Sequence, residues 1–198
     1  MGLKMYAVKG RVEAGVDEAG RGCLAGPVTA AAVIPGKAAK RWRAAGLNDS
    51  KALSAKTREG LRNMIESEAV AWAVGWASVE EIEQINILKA AHLAMHRAID
   101  ALQQQPEFLL IDGHLFQPHT IPHACEIKGD GRFLSIAAAS ILAKTHRDEL
   151  MLELDAEFPE YGWRSNKGYP TKKHKEALAQ YAPTAHHRST FNWQPRLL

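Results

Sequence analysis

Residues 12–27 read VEAGVDEAGRGCLAGP, and the rest of the chain is best understood from this stretch outward. Its first five residues alternate in polarity, which predicts a short strand with one buried face. Two adjacent carboxylates, Asp17 and Glu18, follow. Because neighbouring strand residues point to opposite faces, these two can project the same way only where the strand ends or bulges.

A glycine-rich turn, Gly20-Arg21-Gly22, comes one residue after the carboxylates. Glycine tolerates backbone angles that other residues avoid, so the strand is able to break here. Carboxylates beside exposed backbone amides and an arginine can hold a divalent cation together with a phosphate. An ordinary acidic turn between two strands would carry the same pair, so the remaining sequence has to decide between the two interpretations.

The composition predicts one globular domain. The 198 residues are 46% hydrophobic and 24% charged, which is enough apolar material for a core. The net charge of +3 permits a nucleic-acid partner without demonstrating one. Cys23 and Cys125 have no zinc-type spacing, so we expect two small buried residues in a reducing cytoplasm. We recognise no signal peptide and no membrane-spanning run, and we expect a soluble cytoplasmic protein.

The hydrophobic patterns predict the element order β-β-α-β-α-β-β-α-α. Residues 108–111 (FLLI) form a continuous apolar run, which indicates a central strand covered on both sides. Residues 69–77 alternate, with the large side chains predicted on one face of a strand. Residues 133–158 predict a long helix. Residues 37–43 are a basic patch that we expect to be a solvated loop or a short helix.

Two further acids follow predicted strands far along the chain. Asp112 ends an apolar strand in IDG, and Asp130 follows a short strand in KGD. Because ligands of α/β sheets bind at the carboxyl ends of strands, Asp17, Glu18, Asp112 and Asp130 are predicted to form a four-carboxylate site. An Asp-Gly pair alone is a common turn, so the prediction depends on all four acids occurring at strand ends.

Four carboxylates without a cysteine or paired-histidine pattern suit hard divalent cations and not zinc. Two Mg²⁺ or Mn²⁺ ions about 4 Å apart can activate a water, stabilise a leaving oxygen and clamp a phosphodiester. Lys51, Lys144 and Arg147 are candidates for neutralising phosphate, although we expect Arg147 to lie on a solvated helix face. His174 and residues 186–187 lack a second ligand cluster, and we expect surface or packing roles for them.

Several longer strings occur in the order and spacing of one family. The chain resembles the bacterial ribonuclease HII family of type 2 ribonucleases H, and the matches run from about residue 12 to residue 191. The strings that carry this resemblance are DEAGRG (17–22), NDSKAL (48–53), IDG (111–113), KGD (128–130), SIAAASILAK (135–144) and GYPT (168–171).

The resemblance implies an α/β ribonuclease H-like fold, with a mixed five-stranded sheet flanked by helices and a short helical C-terminal region. It implies a metal-dependent endoribonuclease whose four acids hold two Mn²⁺ or Mg²⁺ ions. Its substrates would be RNA/DNA hybrids and duplex DNA with single embedded ribonucleotides. Hydrolysis on the 5′ side of the ribonucleotide would leave 5′-phosphate and 3′-hydroxyl ends, in ribonucleotide excision repair and DNA replication.

The resemblance also implies substrate-binding residues. Gly20, Arg21 and Gly22 would read the 2′-hydroxyl at the scissile ribonucleotide, and Tyr169 would pack on the following deoxyribose. The 2′-hydroxyl is both donor and acceptor, and it is the group that distinguishes RNA from DNA. Lys51 lies in the matching DSK segment and would contact phosphate. For Tyr169, a loop aromatic that covers the core is the alternative.

We expect residues 1–198 to form a single catalytic domain that acts as a monomer, with residues 159–198 contacting substrate. Residues 187–191 resemble the family's terminal HR-S-F segment, with Thr190 inserted before the phenylalanine. Residues 194–198 (QPRLL) resemble a sliding-clamp peptide, although a match of five residues is short enough to arise by chance.

Two other functions fit parts of the pattern. A junction resolvase can share the ribonuclease H-like fold, but GRG and GYPT disfavour it, and cutting of a four-way DNA junction would reveal it. A non-catalytic nucleic-acid-binding module would gain nothing from four carboxylates that face phosphate. Metal-dependent turnover distinguishes an enzyme from such a module.

Overall fold

Five strands form one mixed sheet in the computed structural model, which describes residues 2–191. The strands are β1 (Glu13–Ala19), β2 (Val28–Ile34), β3 (Ala71–Ala77), β4 (Phe108–Asp112) and β5 (His123–Glu126). Their order across the sheet is β3-β2-β1-β4-β5. β2 is antiparallel to both β1 and β3, whereas β1, β4 and β5 run parallel to one another. The predicted mixed five-stranded sheet is therefore confirmed, and the carboxyl ends of β1, β4 and β5 share one edge.

Helices cover both faces of the sheet. They are α1 (Ala39–Ala44), α2 (Ala55–Glu68), α3 (Val79–Ile85), α4 (Ile87–Asp100), α5 (Leu134–Glu157), α6 (Trp163–Asn166) and α7 (Lys172–Tyr181). α4 packs on one face with Ala14 and Val16 of β1, and α5 packs on the other with Ala31 and Val33 of β2. The first half of α5 is apolar apart from Ser135 and Ser140, and neighbouring elements bury it on every side.

β1 and α5 approach each other very closely. A methyl group on Gly15 would lie 2.2 Å from the Ser135 carbonyl carbon, so only glycine permits this packing. The contact fixes the start of α5 directly over β1, the strand that carries the first two acids.

β1 neither ends nor bulges at Asp17 and Glu18, although the sequence allowed a break there. Its ladder with β2 continues through Glu18, which is paired with Ala30, and Ala19, which is paired with Thr29. Regular pairing keeps the two-residue alternation, so Asp17 and Glu18 project to opposite faces of the sheet. The glycine turn begins only after the last paired residue.

Three local predictions meet different outcomes. Residues 37–43 fall largely in α1, which confirms the short helix, but Trp42 inside the patch is completely buried. On β3 the large side chains do share a face, but they are half-buried while the small alternate residues are covered. Cys23 is buried as expected, whereas Cys125 on edge strand β5 is only half-buried, which corrects the expectation for it.

The C-terminal region folds back on the end of α5. α6 and α7 pack there around Tyr161 and Trp163, and a bridge between Ala25 and His187 ties the last segment to the loop after β1. The clamp-like peptide at residues 194–198 lies outside the described residues. Between residues 2 and 191, no helix has the length and apolarity needed to cross a bilayer.

Candidate active site

The predicted acids come together at one edge of the sheet. Asp17 and Glu18 lie near the end of β1, and Asp112 is the last residue of β4. Gly15 shares a face with Asp17 and packs on α5, so Asp17 lies on the α5 side and Glu18 on the α4 side. Asp112 therefore stands beside a pair of carboxylates that straddle the sheet.

Asp130 reaches the site by a different route from the predicted one. β5 ends at Glu126, and Asp130 lies in a 3-10 turn over Gly129–Gly131. The Gly129 amide donates to Asp112 Oδ1 at 2.7 Å, which draws this turn toward the end of β4. The fourth acid is thus placed by a turn after the strand and not by the strand end itself.

Negative charge is concentrated at this edge. Burial, reinforced by Glu18 and Asp112, raises the pKa of Asp17 well above its usual value. Burial also raises the pKa of Glu18, although Arg21 beside it acts in the opposite direction. Burial and the nearby Asp112 raise the pKa of Asp130. The raised pKa values mean that ionising these carboxylates destabilises the folded protein, and clusters of such groups are typical of functional sites.

Each carboxylate already has a local partner. Asp17 accepts from the Glu18 amide at 2.7 Å and Asp130 from the Gly131 amide at 2.9 Å, and Glu18 pairs with Arg21 at 3.1 Å. In residues 2–191 no three Asp, Glu, His or Cys side chains are close enough, as they stand, to hold an ion. The donor set nevertheless fits a divalent cation, because it consists of hard oxygens whose mutual repulsion a cation relieves.

Lys51 extends toward the acids. Its Nζ lies 3.9 Å from Asp130 Oδ2, and its side chain remains 79% exposed. The 3-10 turn Ser50–Ala52 carries it, and Asp49 caps this turn by accepting the Lys51 amide. Burial lowers the pKa of Lys51, but the surrounding carboxylates outweigh it and the pKa is raised. Sequence reasoning missed Asp49, although its N-cap position in NDSKAL was a usable signal.

All five predicted substrate-binding residues line one cleft of about 170 Å³. They come from segments almost 150 residues apart, and the fold joins them beside Glu18. Tyr169 is 39% exposed in this cleft, so it does not simply cover the core. The predicted members are Gly20, Arg21, Gly22, Lys51 and Tyr169; Ser50, Ser140 and Lys144 line the cleft with them.

Arg147 is the clearest error of the sequence reasoning at this site. It was expected on a solvated face, but it is 1% exposed, and its guanidinium lies beneath the glycine turn. Its Nε, Nη1 and Nη2 donate to the carbonyls of Pro27, Lys167 and Ala25. No pattern in the sequence identified these acceptors, because they belong to loops far from α5.

The histidines 174 and 187 have packing roles, as expected. Trp163 Nε1 and His187 Nε2 both lie 3.1 Å from His174 Nε2, and His174 Nδ1 lies 2.9 Å from the Tyr169 carbonyl oxygen. The Thr184 amide donates to His187 Nδ1. One set of neutral tautomers gives every contact a donor and an acceptor, with protons on His174 Nδ1 and His187 Nε2 and with His174 Nε2 shared between two donors. This network anchors the loop that carries Tyr169.

The family model described as Ribonuclease HII matches residues 14–194. Ribonuclease HII of Parabacteroides distasonis is 59% identical over 99% of this chain and 98% of that protein. The chain belongs to the ribonuclease HII family. As a member of this family it is an endoribonuclease of the ribonuclease H type, and it carries the family's fold.

Solved structures agree with the assignment to the ribonuclease HII family. A chain from the structure of the PCNA:RNase HII complex from Archaeoglobus fulgidus superposes with a TM-score of 0.77 at 26% identity, covering 94% of this chain and 98% of that one. Bst-RNase HIII in complex with Mn²⁺ has a TM-score of 0.75 at 20% identity, covering 91% of this chain and 67% of that one. The second likeness shows the shared fold alone.

Proposed function

We propose that this protein hydrolyses the phosphodiester on the 5′ side of ribonucleotides, both in RNA/DNA hybrids and at single ribonucleotides embedded in duplex DNA. The products are 5′-phosphate and 3′-hydroxyl ends, as ribonucleotide excision repair and DNA replication require. The observation that carries the proposal is the cleft that joins the glycine turn, Lys51 and Tyr169 to the edge where the four acids meet.

Asp17, Glu18, Asp112 and Asp130 would hold two Mn²⁺ or Mg²⁺ ions, which supply an activated water and stabilise the leaving oxygen when bound. The raised pKa values of Asp17, Glu18 and Asp130 support this role, because burial and the neighbouring carboxylates both disfavour the ionised forms until a cation is present. Lys51, next to Asp130, neutralises the phosphate that enters the site.

The remaining cleft residues select the sugar. Backbone groups of Gly20, Arg21 and Gly22 bond the 2′-hydroxyl, and a site built to bond a hydroxyl rejects an analogue that lacks it. Tyr169, which is partly exposed in the same cleft, packs on the next sugar, where it favours deoxyribose. An RNA-to-DNA junction satisfies both groups, so one ribonucleotide is enough.

The working unit that we propose is a cytoplasmic monomer with one catalytic domain, residues 1–198, in which residues 159–198 contribute substrate contacts. The position of Tyr169 in the cleft supports the role of that segment. Two free thiols suit a reducing compartment. A sliding-clamp contact through residues 194–198 remains a separate proposal, motivated by the sequence and by the PCNA complex of the archaeal relative.

Cleavage of an end-labelled DNA duplex with one central ribonucleotide tests the proposal. We expect one product, cut on the 5′ side of the ribonucleotide, with Mg²⁺ or Mn²⁺ and none with EDTA. An all-DNA duplex and a four-way DNA junction serve as controls and should stay intact. A protein that cuts long hybrids but leaves the lone ribonucleotide untouched in both metals would contradict the junction-reading role.

A further inference from the structure

Two arginines lie completely buried beneath the substrate cleft. Arg147 is 1% exposed and Arg188 is 0% exposed. Neither guanidinium forms an ion pair with a carboxylate among residues 2–191; both donate to backbone carbonyls instead. Burial of an arginine without a carboxylate is costly, so the fold retains this pair against a substantial penalty. Burial lowers the pKa of Arg188 to about 10, which still leaves it charged at neutral pH.

The carbonyls that they hold lie in the loop after β1, which includes the glycine turn, and beside the loop that bears Tyr169. Arg188 Nη1 donates to the Arg21 carbonyl at 3.1 Å, inside the glycine turn, and its other nitrogens donate to Gly26 and Pro27. Arg147 joins the loop after β1 to the Lys167 carbonyl at 2.8 Å, next to the loop that bears Tyr169. The two guanidiniums thus cross-link both segments from below.

The contact between Arg188 and the Arg21 carbonyl determines where the next amide points. Peptide bonds in residues 2–191 are trans, so the C=O of Arg21 and the N–H of Gly22 point in opposite directions. Because Arg188 holds the carbonyl inward, the Gly22 N–H is directed outward into the cleft. Within the described part of the chain, this amide donates to no backbone or side-chain acceptor.

The two glycines of the turn differ in their surroundings. A methyl group on Gly20 would lie 2.1 Å from Arg147 Nε, and Gly20 has φ of +94°. A methyl group on Gly22 would meet no atom within 4 Å. Gly20 is therefore required by the arginine beneath it, whereas the space around Gly22 is open to a ligand.

We infer that Arg188 is a positioning residue that aims the Gly22 amide at the ribose 2′-hydroxyl of the substrate, with Arg147 tying the loop that follows this turn to the segment that leads into Tyr169. This inference rests on the proposed function, because it names the donor that carries the sugar selection. It goes beyond that function by assigning selectivity to two buried side chains that never touch the substrate.

The first test compares Arg188→Lys with Arg97→Lys. Lysine keeps the charge but cannot donate to several carbonyls at once. Arg97 is the control, because it also donates to a backbone carbonyl, that of Trp76, but lies on α4 away from the cleft, where it is partly exposed and pairs with Glu81. Affinity is measured in Ca²⁺ for a one-ribonucleotide duplex and for the same all-DNA duplex. We expect the preference for the ribonucleotide to fall by about tenfold in Arg188→Lys and to persist in Arg97→Lys.

A second measurement uses the unmodified protein, so it stands even if Arg188→Lys does not fold. Gly22 is the one glycine that follows an arginine, so labelling arginine with ¹³C′ and glycine with ¹⁵N isolates its amide signal. We expect this signal to move further with the one-ribonucleotide duplex than with the all-DNA duplex.

The outcomes separate the inference from the proposed function. If the wild-type protein fails to cut an embedded ribonucleotide, the proposed function is wrong. If it cuts but the Gly22 signal responds equally to both duplexes, only the role of Arg188 is overturned. The role of Arg188 is equally overturned if folded Arg188→Lys retains the full preference for the ribonucleotide.

Discussion

The hydroxyl oxygens of Ser50 and Ser140 lie 2.7 Å apart, and both side chains are buried. This single hydrogen bond joins the turn that carries Lys51 to the middle of α5. A hydroxyl pair buried in this way leaves one oxygen unsatisfied if its partner is removed, so the contact is expensive to break. It therefore fixes the position of the turn that carries Lys51 relative to α5, without any contact to the lysine itself.

Replacement of Lys51 by alanine should weaken substrate binding in a salt-dependent manner. Each lost phosphate contact reduces the slope of log affinity against log salt by about one unit. The measurement is fluorescence anisotropy with a labelled one-ribonucleotide duplex in Ca²⁺ at several salt concentrations. Lys40→Ala is the control, because Lys40 is exposed on α1 beyond the opposite end of the sheet. An unchanged slope in Lys51→Ala would make that residue purely structural.

Replacement of Asp17 by asparagine should stabilise the metal-free protein while it abolishes cleavage. Its raised pKa means that the folded state resists the ionised carboxylate, so stability conferred by this site falls as pH rises through the folded pKa. Removing the charge should raise Tm in EDTA by about 3 °C, which corresponds to about 1 kcal/mol.

The same variant tests metal binding without relying on activity. Mn²⁺ should raise the Tm of the wild-type protein, because a ligand of the folded state stabilises it, and should have little effect on Asp17→Asn. Asp100→Asn removes an exposed acid and should resemble wild type in both experiments. Equal Mn²⁺ stabilisation of wild type and Asp17→Asn would remove Asp17 from the set of metal ligands.

Replacement of Tyr169 by alanine should change the choice of substrate more than the overall rate. The ring faces the sugar after the scissile ribonucleotide in our proposal, so its loss affects a junction more than a continuous hybrid. We expect kcat/KM to fall further on the one-ribonucleotide duplex than on an RNA/DNA hybrid. Tyr6→Ala removes a tyrosine of similar exposure, 46%, away from the cleft, and should leave the ratio unchanged. Equal losses on both substrates would contradict the prediction.

Acid should destabilise the protein through His187. Burial, together with the neighbouring His174, lowers the pKa of His187 from 6.5 to about 4. The unfolded chain binds a proton in this window and the folded chain does not, so stability falls as pH drops from about 6.5 toward 4, by about 2–3 kcal/mol. Below the folded pKa both states are protonated and this loss stops.

Urea unfolding in EDTA at pH 7 and pH 4.5 measures that effect. In His187→Gln the titrating group is absent, so the gap in unfolding free energy between wild type and variant should narrow at pH 4.5. His114→Gln, at an exposed position, should show no such narrowing. A gap of constant size would assign the pH dependence to other groups.

From the sequence, the strands and helices that form this site could be predicted more accurately than the geometry of the site. The apolar run before Asp112 and the alternating residues before Asp17 are local patterns that predict strands. These patterns were enough to place both acids near strand ends. The turn that returns Asp130 to β4 depends on the hydrogen bond from Gly129 to Asp112, a contact across 17 residues that no periodicity encodes. The ladder that continues past Glu18 likewise depends on pairing with β2 and not on the glycines that follow.

Arg147 shows the limit of reasoning from pattern. An arginine in the charged half of a helix is normally solvated, and nothing near it in sequence says otherwise. Its acceptors are supplied by carbonyls about 120 residues earlier and 20 residues later. Gly20, Gly26 and Gly168 all lie against the Arg147 guanidinium, so these glycines are an indirect sign of its burial. Their common neighbour can be recognised only in the three-dimensional structure.

α5 also sets the distance between two parts of the cleft. Ser140 and Arg147 are seven residues apart, which is two turns, so they lie on the same side of the helix about 10.5 Å apart along its axis. Ser140 holds the turn of Lys51, and Arg147 holds the carbonyls of Pro27 and Lys167 beside the proposed sugar-selecting residues. In our proposal, the distance between the phosphate contact and the sugar-selecting residues is therefore set by the length of this segment of α5. Inserting a single residue between them would rotate one contact by about 100° relative to the other, so the two contacts could not both be kept.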